Sequence, residues 1–306
     1  MSKHKNKQIL VVGSSNTDMV IKTNHLPKAG ETVLGGTFFM NPGGKGANQA
    51  VAVARLGGRI AFICKTGCDV FGHQSCQLFE KEGIDVSYVF SDINSPSGVA
   101  LITVDEYGEN CIVVASGANA QLMPNDIATA EDAIYKADFV LMQLEIPVET
   151  VEFVAKKAAE KNKKVILNPA PACKLSKELL QNLYLITPNE TEAELISGIK
   201  ITDETSARKA AEWFVKSGVD NVVITLGSKG AFVYGEGICE IIPALKVKAQ
   251  DTTAAGDIFN GALTVVLAEN RALPDAVRFA CKAAAISVTR IGAQSSAPYR
   301  NEVDVF

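Results

Sequence analysis

The sequence predicts an α/β fold in which a mostly parallel sheet carries helices on its faces and a small second β-sheet projects as a lid. Three observations lead there. Short β-rich apolar runs alternate with segments of helical periodicity along most of the 306 residues, the pattern of parallel strands joined by crossover helices. Two segments, about 15–41 and 96–117, break that alternation with strand patterning and no helices of their own. The chain is 47% hydrophobic, enough to bury a large core as one big α/β domain or two smaller ones. No low-complexity linker or internal repeat marks a boundary, so 1–306 is read as a single domain.

Taken in order, Ile9–Val12 is the first strand, followed by the first irregular β segment at 15–41. A helix over 46–56 closes at Gly57-Gly58, and Ile60–Cys64 and 70–82 repeat the strand and helix pair. Gly98–Val104 and Cys111–Ala115 flank Asp105–Asn110 as a β-hairpin. Further strands are expected at Phe139–Met142, Val165–Asn168, Tyr184–Ile186 and Asn221–Thr225, with helices over 148–162 and 204–217. A late helix begins near Ala255, where Phe259, Leu263, Val266 and Leu267 recur at helical spacing. A small sheet built by 15–41 and 96–117 beside a ligand cleft would act as a lid. An edge extension of the main sheet would satisfy the same pattern.

Composition excludes several functions. A net charge of −4 with dispersed Lys and Arg offers no footprint for nucleic acid or an anionic membrane. The basic start Met1–Lys7 runs into Gln8–Gly13, an apolar run too short for a signal peptide or a membrane span, so a cytoplasmic location is expected. Seven cysteines form a poor disulfide framework. Cys64 and Cys68 come nearest to a zinc ligand pair but lack a second pair, and Cys76, Cys111, Cys173, Cys239 and Cys281 are isolated. None of His4, His25 and His73 stands in a nucleophile–base context.

Four segments carry the chemistry. Asp251-Thr252-Thr253-Ala254-Ala255-Gly256-Asp257 places small residues and a carboxylate at the start of the late helix. Its free N–H groups can hold an anion while Asp257 takes a proton from an attacking hydroxyl, although a capping role would also explain Asp257. Asn41-Pro42-Gly43-Gly44-Lys45-Gly46-Ala47-Asn48 precedes the first helix; its glycines admit close backbone approach, and Lys45 and Asn48 can donate to hydroxyls. Asn16 and Asp18 supply a matching pair after the first strand, a mixture of donors and acceptors that suits a sugar. A sharp turn and helix entry is the plainer reading of those glycines. No Gly-x4-Gly-Lys-Ser/Thr loop occurs, and no Gly-x-Gly-x-x-Gly follows the first strand, which disfavours P-loop and dinucleotide-binding enzymes. Thr225-Leu226-Gly227-Ser228-Lys229-Gly230 can turn over phosphates or is an ordinary hairpin turn. Asn189 and Glu192 lie one helical turn apart, able to share a magnesium–water shell or to form a capping box.

Together these segments resemble the ribokinase family of carbohydrate kinases, also called the pfkB family, over nearly the whole chain. Gly43–Ala50 looks like the family's N-terminal signature and Asp251–Asp257 like its C-terminal one. The resemblance implies a three-layer α/β sandwich whose β lid pairs between two subunits, hence a homodimer. It implies ATP- and Mg2+-dependent transfer to the 5-hydroxyl of D-ribose, giving D-ribose 5-phosphate and ADP, with activation by K+. Asp257 is then the base, with Ala254, Ala255 and Gly256 as the anion hole. Asn16, Asp18, Gly44, Lys45, Asn48 and Glu145 hold the sugar. Asn189, Thr225 to Gly230, Gly256 and Cys281 meet ATP, and Glu192 organises magnesium through water. Asp251, Thr253, Ser287, Arg290, Gly292 and Ser296 match the monovalent-cation site, several through carbonyls. The chain departs from the family pattern at Ile258, where Thr or Ser is common, and at Cys281 beside the adenine edge, where a polar residue is usual. Deoxyribokinase, fructokinase and a catalytically silent sugar-binding regulator are the rival readings.

Overall fold

The computed structural model describes residues 7–235 and 237–306, so His4 and the basic start up to Asn6 lie outside the described residues. In chain order the strands are β1 (Gln8–Val12), β2 (Asn16–Lys22), β3 (Thr37–Gly43), β4 (Arg59–Gly67), β5 (Val89–Asp92), β6 (Gly98–Val104), β7 (Asn110–Ala115), β8 (Phe139–Met142), β9 (Lys164–Leu167), β10 (Leu185–Ile186), β11 (Asn221–Thr225), β12 (Ala231–Gly235) and β13 (Ile238–Ile242). The helices are α1 (Lys45–Arg55), α2 (Val70–Lys81), α3 (Pro124–Thr129), α4 (Glu131–Lys136), α5 (Val148–Glu160), α6 (Lys177–Gln181), α7 (Glu190–Ser197), α8 (Glu204–Lys216), α9 (Ala255–Ala268), α10 (Leu273–Ser287) and α11 (Arg300–Val305).

The main sheet runs β13-β12-β11-β10-β9-β8-β1-β4-β5, parallel from β11 to β5 and antiparallel at β12 and β13. Its central strands are continuous Val, Ile and Leu because both faces are covered. Ile9 and Val11 pack with α1, α9 and α10 on one side, while Leu10 and Val12 pack with α3, α4, α5 and α8 on the other. The result is the expected three layers. Ile258 is fully buried in the first of these cores, so the position after Asp257 serves packing. Among the described residues no helix is long and apolar enough to cross a membrane.

The two irregular segments form their own sheet, β3-β2-β6-β7, separate from the main one. The edge-extension alternative is therefore set aside. β2 and β6 begin and β3 ends on a single row, since Asn16 pairs with Gly43 on one side and Gly98 on the other. Side chains alternate across a pleated strand, so Asp18 shares a face with Asn16, and Met19 lies on the opposite face. Register puts Met40, Leu101 and Val113 level with Met19, and Phe38 level with Ile21, on that opposite face. All four of these partners are exposed.

Candidate active site

Polar residues gather where the parallel strands end, in the crevice where α/β sheets bind ligands. Ser14 follows β1, Gln143 and Glu145 follow β8, Asn168 follows β9 and Thr187 follows β10. Asn168 thus sits just beyond the strand that the sequence extends to include it. Helix α1 enters this crevice with its N-terminus against the β1–β2 turn. Gly44 has φ of +88° and a Cβ there would fall 2.7 Å from the Asn16 nitrogen; a Cβ at Gly46 would fall 2.5 Å from the Ser14 nitrogen. Glycine is needed at both positions because backbone meets backbone. These contacts are those of the turn reading: the glycines let α1 start against the β1–β2 turn. Gly44 gives α1 no side-chain cap; Glu145 does so from across the crevice, accepting from the Lys45 N–H at 3.0 Å and from Ser14 Oγ at 2.6 Å.

Asp257 lies in the first turn of α9, 5% exposed. Its Oδ2 accepts from Asn48 Nδ2 and its Oδ1 from Gln49 Nε2, both at 2.9 Å. Burial pushes its pKa up, against Lys45 and these two donors, with Glu145 adding to the rise. Its geometry therefore goes beyond capping. Asp18 stands on the lid face toward this group, and a Cβ at Gly43 would fall within 2.4 Å of both its carboxylate oxygens. Burial, then Glu145 and Asp257, push the Asp18 carboxyl up to about 6, with Lys45 opposing. Burial would lower the Lys45 pKa, but Asp257, Glu145, Glu192 and Asp18 together carry it above its ordinary value. One ammonium thus balances four carboxylates. Asn48 Oδ1 is buried with no hydrogen-bond partner, an acceptor open to a hydroxyl donor.

Ala254, with φ of +58°, opens α9, and nothing lies within 4 Å of a Cβ added at Gly256. The Ala255 N–H donates to the Thr252 carbonyl at 3.2 Å. The amides of Gly256 and Asp257 lack intrahelical acceptors by position in the first turn of α9. The other two segments lie side by side: the Thr225 N–H donates to the Pro188 carbonyl at 2.9 Å, and Lys229 Nζ is 3.7 Å from Glu190. Residues 225–230 form the β11–β12 hairpin turn, where a Cβ at Gly230 would fall 2.0 Å from the Ile242 carbonyl. Asn189 and Glu192 form the reciprocal capping box. Glu192 nonetheless has its pKa raised, chiefly by burial, in spite of the Asn189 N–H and Lys45.

The chain matches the family described as pfkB family carbohydrate kinase over residues 6–300. The chain belongs to this family. It is 48% identical over 296 residues to a ribokinase of Haemophilus influenzae, covering 97% of each chain. Among solved structures, a ribokinase from Thermotoga maritima superposes with a TM-score of 0.90 at 42% identity, covering 98% of each chain. A ribokinase from Arabidopsis thaliana complexed with ribose and ATP superposes with a TM-score of 0.91 at 32% identity, again over 98% of each chain.

Of the residues matched to the family's cation site, Thr253 and Gly292 meet Asp251 just ahead of α9. Asp251 accepts from the Gly292 N–H at 2.8 Å and the Thr253 N–H at 2.9 Å, and the Val288 carbonyl takes the Gln250 and Asp251 N–H groups. Burial would raise the Asp251 pKa, but the Thr253 hydroxyl, these amides and Lys22 hold it below its ordinary value. Arg290 turns away to pair with Glu302, and the Ser287 and Ser296 hydroxyls bond carbonyls of their own turns, Ala284 and Ala293. Cys281 is 6% exposed within the α10 core, and burial pushes its thiol up to about 11.

Several site residues were not singled out from sequence. Asn119 holds the Asn16 side chain at 2.7 Å and both backbone groups of Ser15, fixing which end of the Asn16 amide faces the crevice. Behind Asp257 lie Gln49, Gln143, Asn168, Thr187 and Asn260, all buried. For Gln143, Asn168 and Thr187 the signal is a polar residue directly after an apolar parallel strand, for Gln49 a glutamine on the buried face of α1, and for Asn260 a polar residue inside the apolar α9.

Proposed function

We propose that the chain phosphorylates D-ribose at the 5-hydroxyl with ATP and magnesium, giving D-ribose 5-phosphate and ADP. The observation that carries this reading is Asp257: a buried carboxylate in the first turn of a helix, beside the open Gly256 and the unpartnered Asn48 Oδ1. Asn16, Asp18, Lys45, Asn48 and Glu145 orient the sugar. Asp257 accepts the hydroxyl proton as the oxygen attacks the γ-phosphorus and the bond to the ADP oxygen breaks; the proton then passes to water. The Gly256 and Asp257 amides, with Ala254 and Ala255 shaping the hole, receive the developing phosphoryl charge. ATP lies along Asn189 and the Thr225–Gly230 turn, with Cys281 at the far edge.

Glu192 is half-buried and undercompensated, a fit for water-mediated magnesium, which supplies charge neutralisation on the phosphates when bound. The carboxylate, hydroxyl and carbonyl oxygens around Asp251, Thr253, Ser287, Arg290, Gly292 and Ser296 fit a hard monovalent cation. Activity should therefore rise with potassium at constant ionic strength, with sodium a poor substitute. Equal rates of desalted enzyme in tetramethylammonium and potassium would exclude the cation site.

The exposed Phe38, Met40, Leu101 and Val113 on the outer lid face support pairing of two lids in a homodimer, within one domain spanning 1–306 and a cytoplasmic location. Binding of ribose should protect residues near 98–115 from hydrogen exchange as the lid closes. The deciding experiment is an ADP-release assay with ATP and magnesium across ribose, 2-deoxyribose, fructose and adenosine. Ribose should exceed 2-deoxyribose in kcat/KM by at least about tenfold, since a missing hydroxyl leaves buried partners unpaired. Equal efficiency on the two pentoses points to a broad or deoxyribose-directed kinase, and no turnover of any substrate to a sugar-binding regulator.

A further inference from the structure

The polar chain behind Asp257 has one self-consistent orientation. The Thr187 carbonyl can only accept, so the Asn168 group that meets it at 3.2 Å is Nδ2. Asn168 Oδ1 is thereby turned to Gln49, which must present Nε2 there, at 3.1 Å. The same Nε2 reaches Asp257 Oδ1 at 2.9 Å. On its other side Gln49 Oε1 accepts from Gln143 Nε2 at 2.6 Å. A second branch leaves Thr187 through its hydroxyl, which donates to Asn260 Oδ1 at 2.6 Å, and Asn260 Nδ2 donates to the Gly256 carbonyl at 2.8 Å. The ring thus closes on the residue next to Asp257. A main-chain carbonyl, which cannot flip, dictates the polarity of two side-chain amides up to the carboxylate.

We propose that Gln49 is a positioning residue for phosphoryl transfer: oriented by the Thr187 carbonyl through Asn168, with its Oε1 accepting from Gln143, it holds the Asp257 carboxylate in one plane with Oδ1 always facing a donor. The proposal rests on the reading of Asp257 as the base. A donor on Oδ1 favours the ionised form that can take a proton, in a place where burial and Glu145 work the other way. The other charged groups facing Asp257 are Lys45 from α1, Asp18 from β2 and Glu192 from α7. None of them touches Oδ1, so none can replace Gln49.

The test compares kcat–pH profiles of wild type, Gln49→Glu and Asn168→Ala with saturating ribose and ATP. Gln49→Glu keeps the shape but sets a second carboxyl against Oδ1, so the pair must share a proton and the apparent pKa of the base rises. Activity is lost as pH falls through that pKa, and the acid limb should move upward by about one pH unit or more. Asn168→Ala does not touch Asp257 yet frees the Gln49 amide to flip; its limb should move the same way by less. KM for ribose should stay within about threefold in both. Acid limbs unmoved in folded Gln49→Glu and Asn168→Ala, with changes only in melting temperature or KM, would make Gln49 merely structural and overturn the proposal. Where Gln49→Glu does not fold, Asn168→Ala and Gln143→Leu decide by the same criterion. Asp257→Asn run alongside separates the two ideas: near-normal turnover there removes the base and the proposal together, whereas an inactive Asp257→Asn with unmoved limbs elsewhere removes the positioning role alone.

Discussion

Asp257→Asn is expected to lower kcat by roughly 10²–10⁴-fold at saturating ribose and ATP, the range for losing a general base, while ribose affinity largely survives. The side chain keeps its shape but offers one acceptor to two donors, Asn48 Nδ2 and Gln49 Nε2. One donor then faces an amide NH2, which costs stability on the order of 1–3 kcal/mol, so the rate is to be read at a temperature where circular dichroism shows a folded chain. Turnover within a few-fold of wild type would rule out Asp257 as the base.

The second large effect belongs to Asp18. Asp18→Ala should reduce kcat/KM for ribose by about 10–100-fold, the loss of hydrogen bonds to a charged group in a site shielded from water. The wild-type carboxyl is pushed up to about 6, so the proposed sugar capture is expected to depend on pH. Asp18 is protonated below that pH and accepts poorly, so kcat/KM should fall as pH drops through about 6. A kcat/KM unchanged by Asp18→Ala would show that this face of the lid does not meet the sugar.

How much of this was legible follows from periodicity. β8 and β11 fall at the residues expected from their apolar runs, and α1, α2, α5 and α8 within two residues, because buried parallel strands and amphipathic helices write long, regular patterns. Helices α3, α4 and α6, at five or six residues, span under two turns and leave no such trace. The two signature segments stand at the starts of α1 and α9, where the sequence places helix starts, because glycine and small residues punctuate the chain there. The support of the Asp257 carboxylate was not legible. Gln49, Asn168 and Thr187 are brought together from three elements, and no local pattern in any one of them announces the other two.

The row Gly43–Asn16–Gly98 at the root of the small sheet makes it a lever with a fixed fulcrum. Asn119 clamps Asn16 and Ser15 to the body, so Asn16 stays put whatever the sheet above it does. Asp18 is two residues up the strand, roughly 7 Å away, and the tip at Lys22 roughly 20 Å, at about 3.3 Å per residue. A swing of about 10° would then carry Asp18 by only about 1 Å and the tip by three times as much. In the proposed sugar site Asn16 would thus serve as the anchor and Asp18 as the moving jaw, adding its charge only in the last ångström of travel.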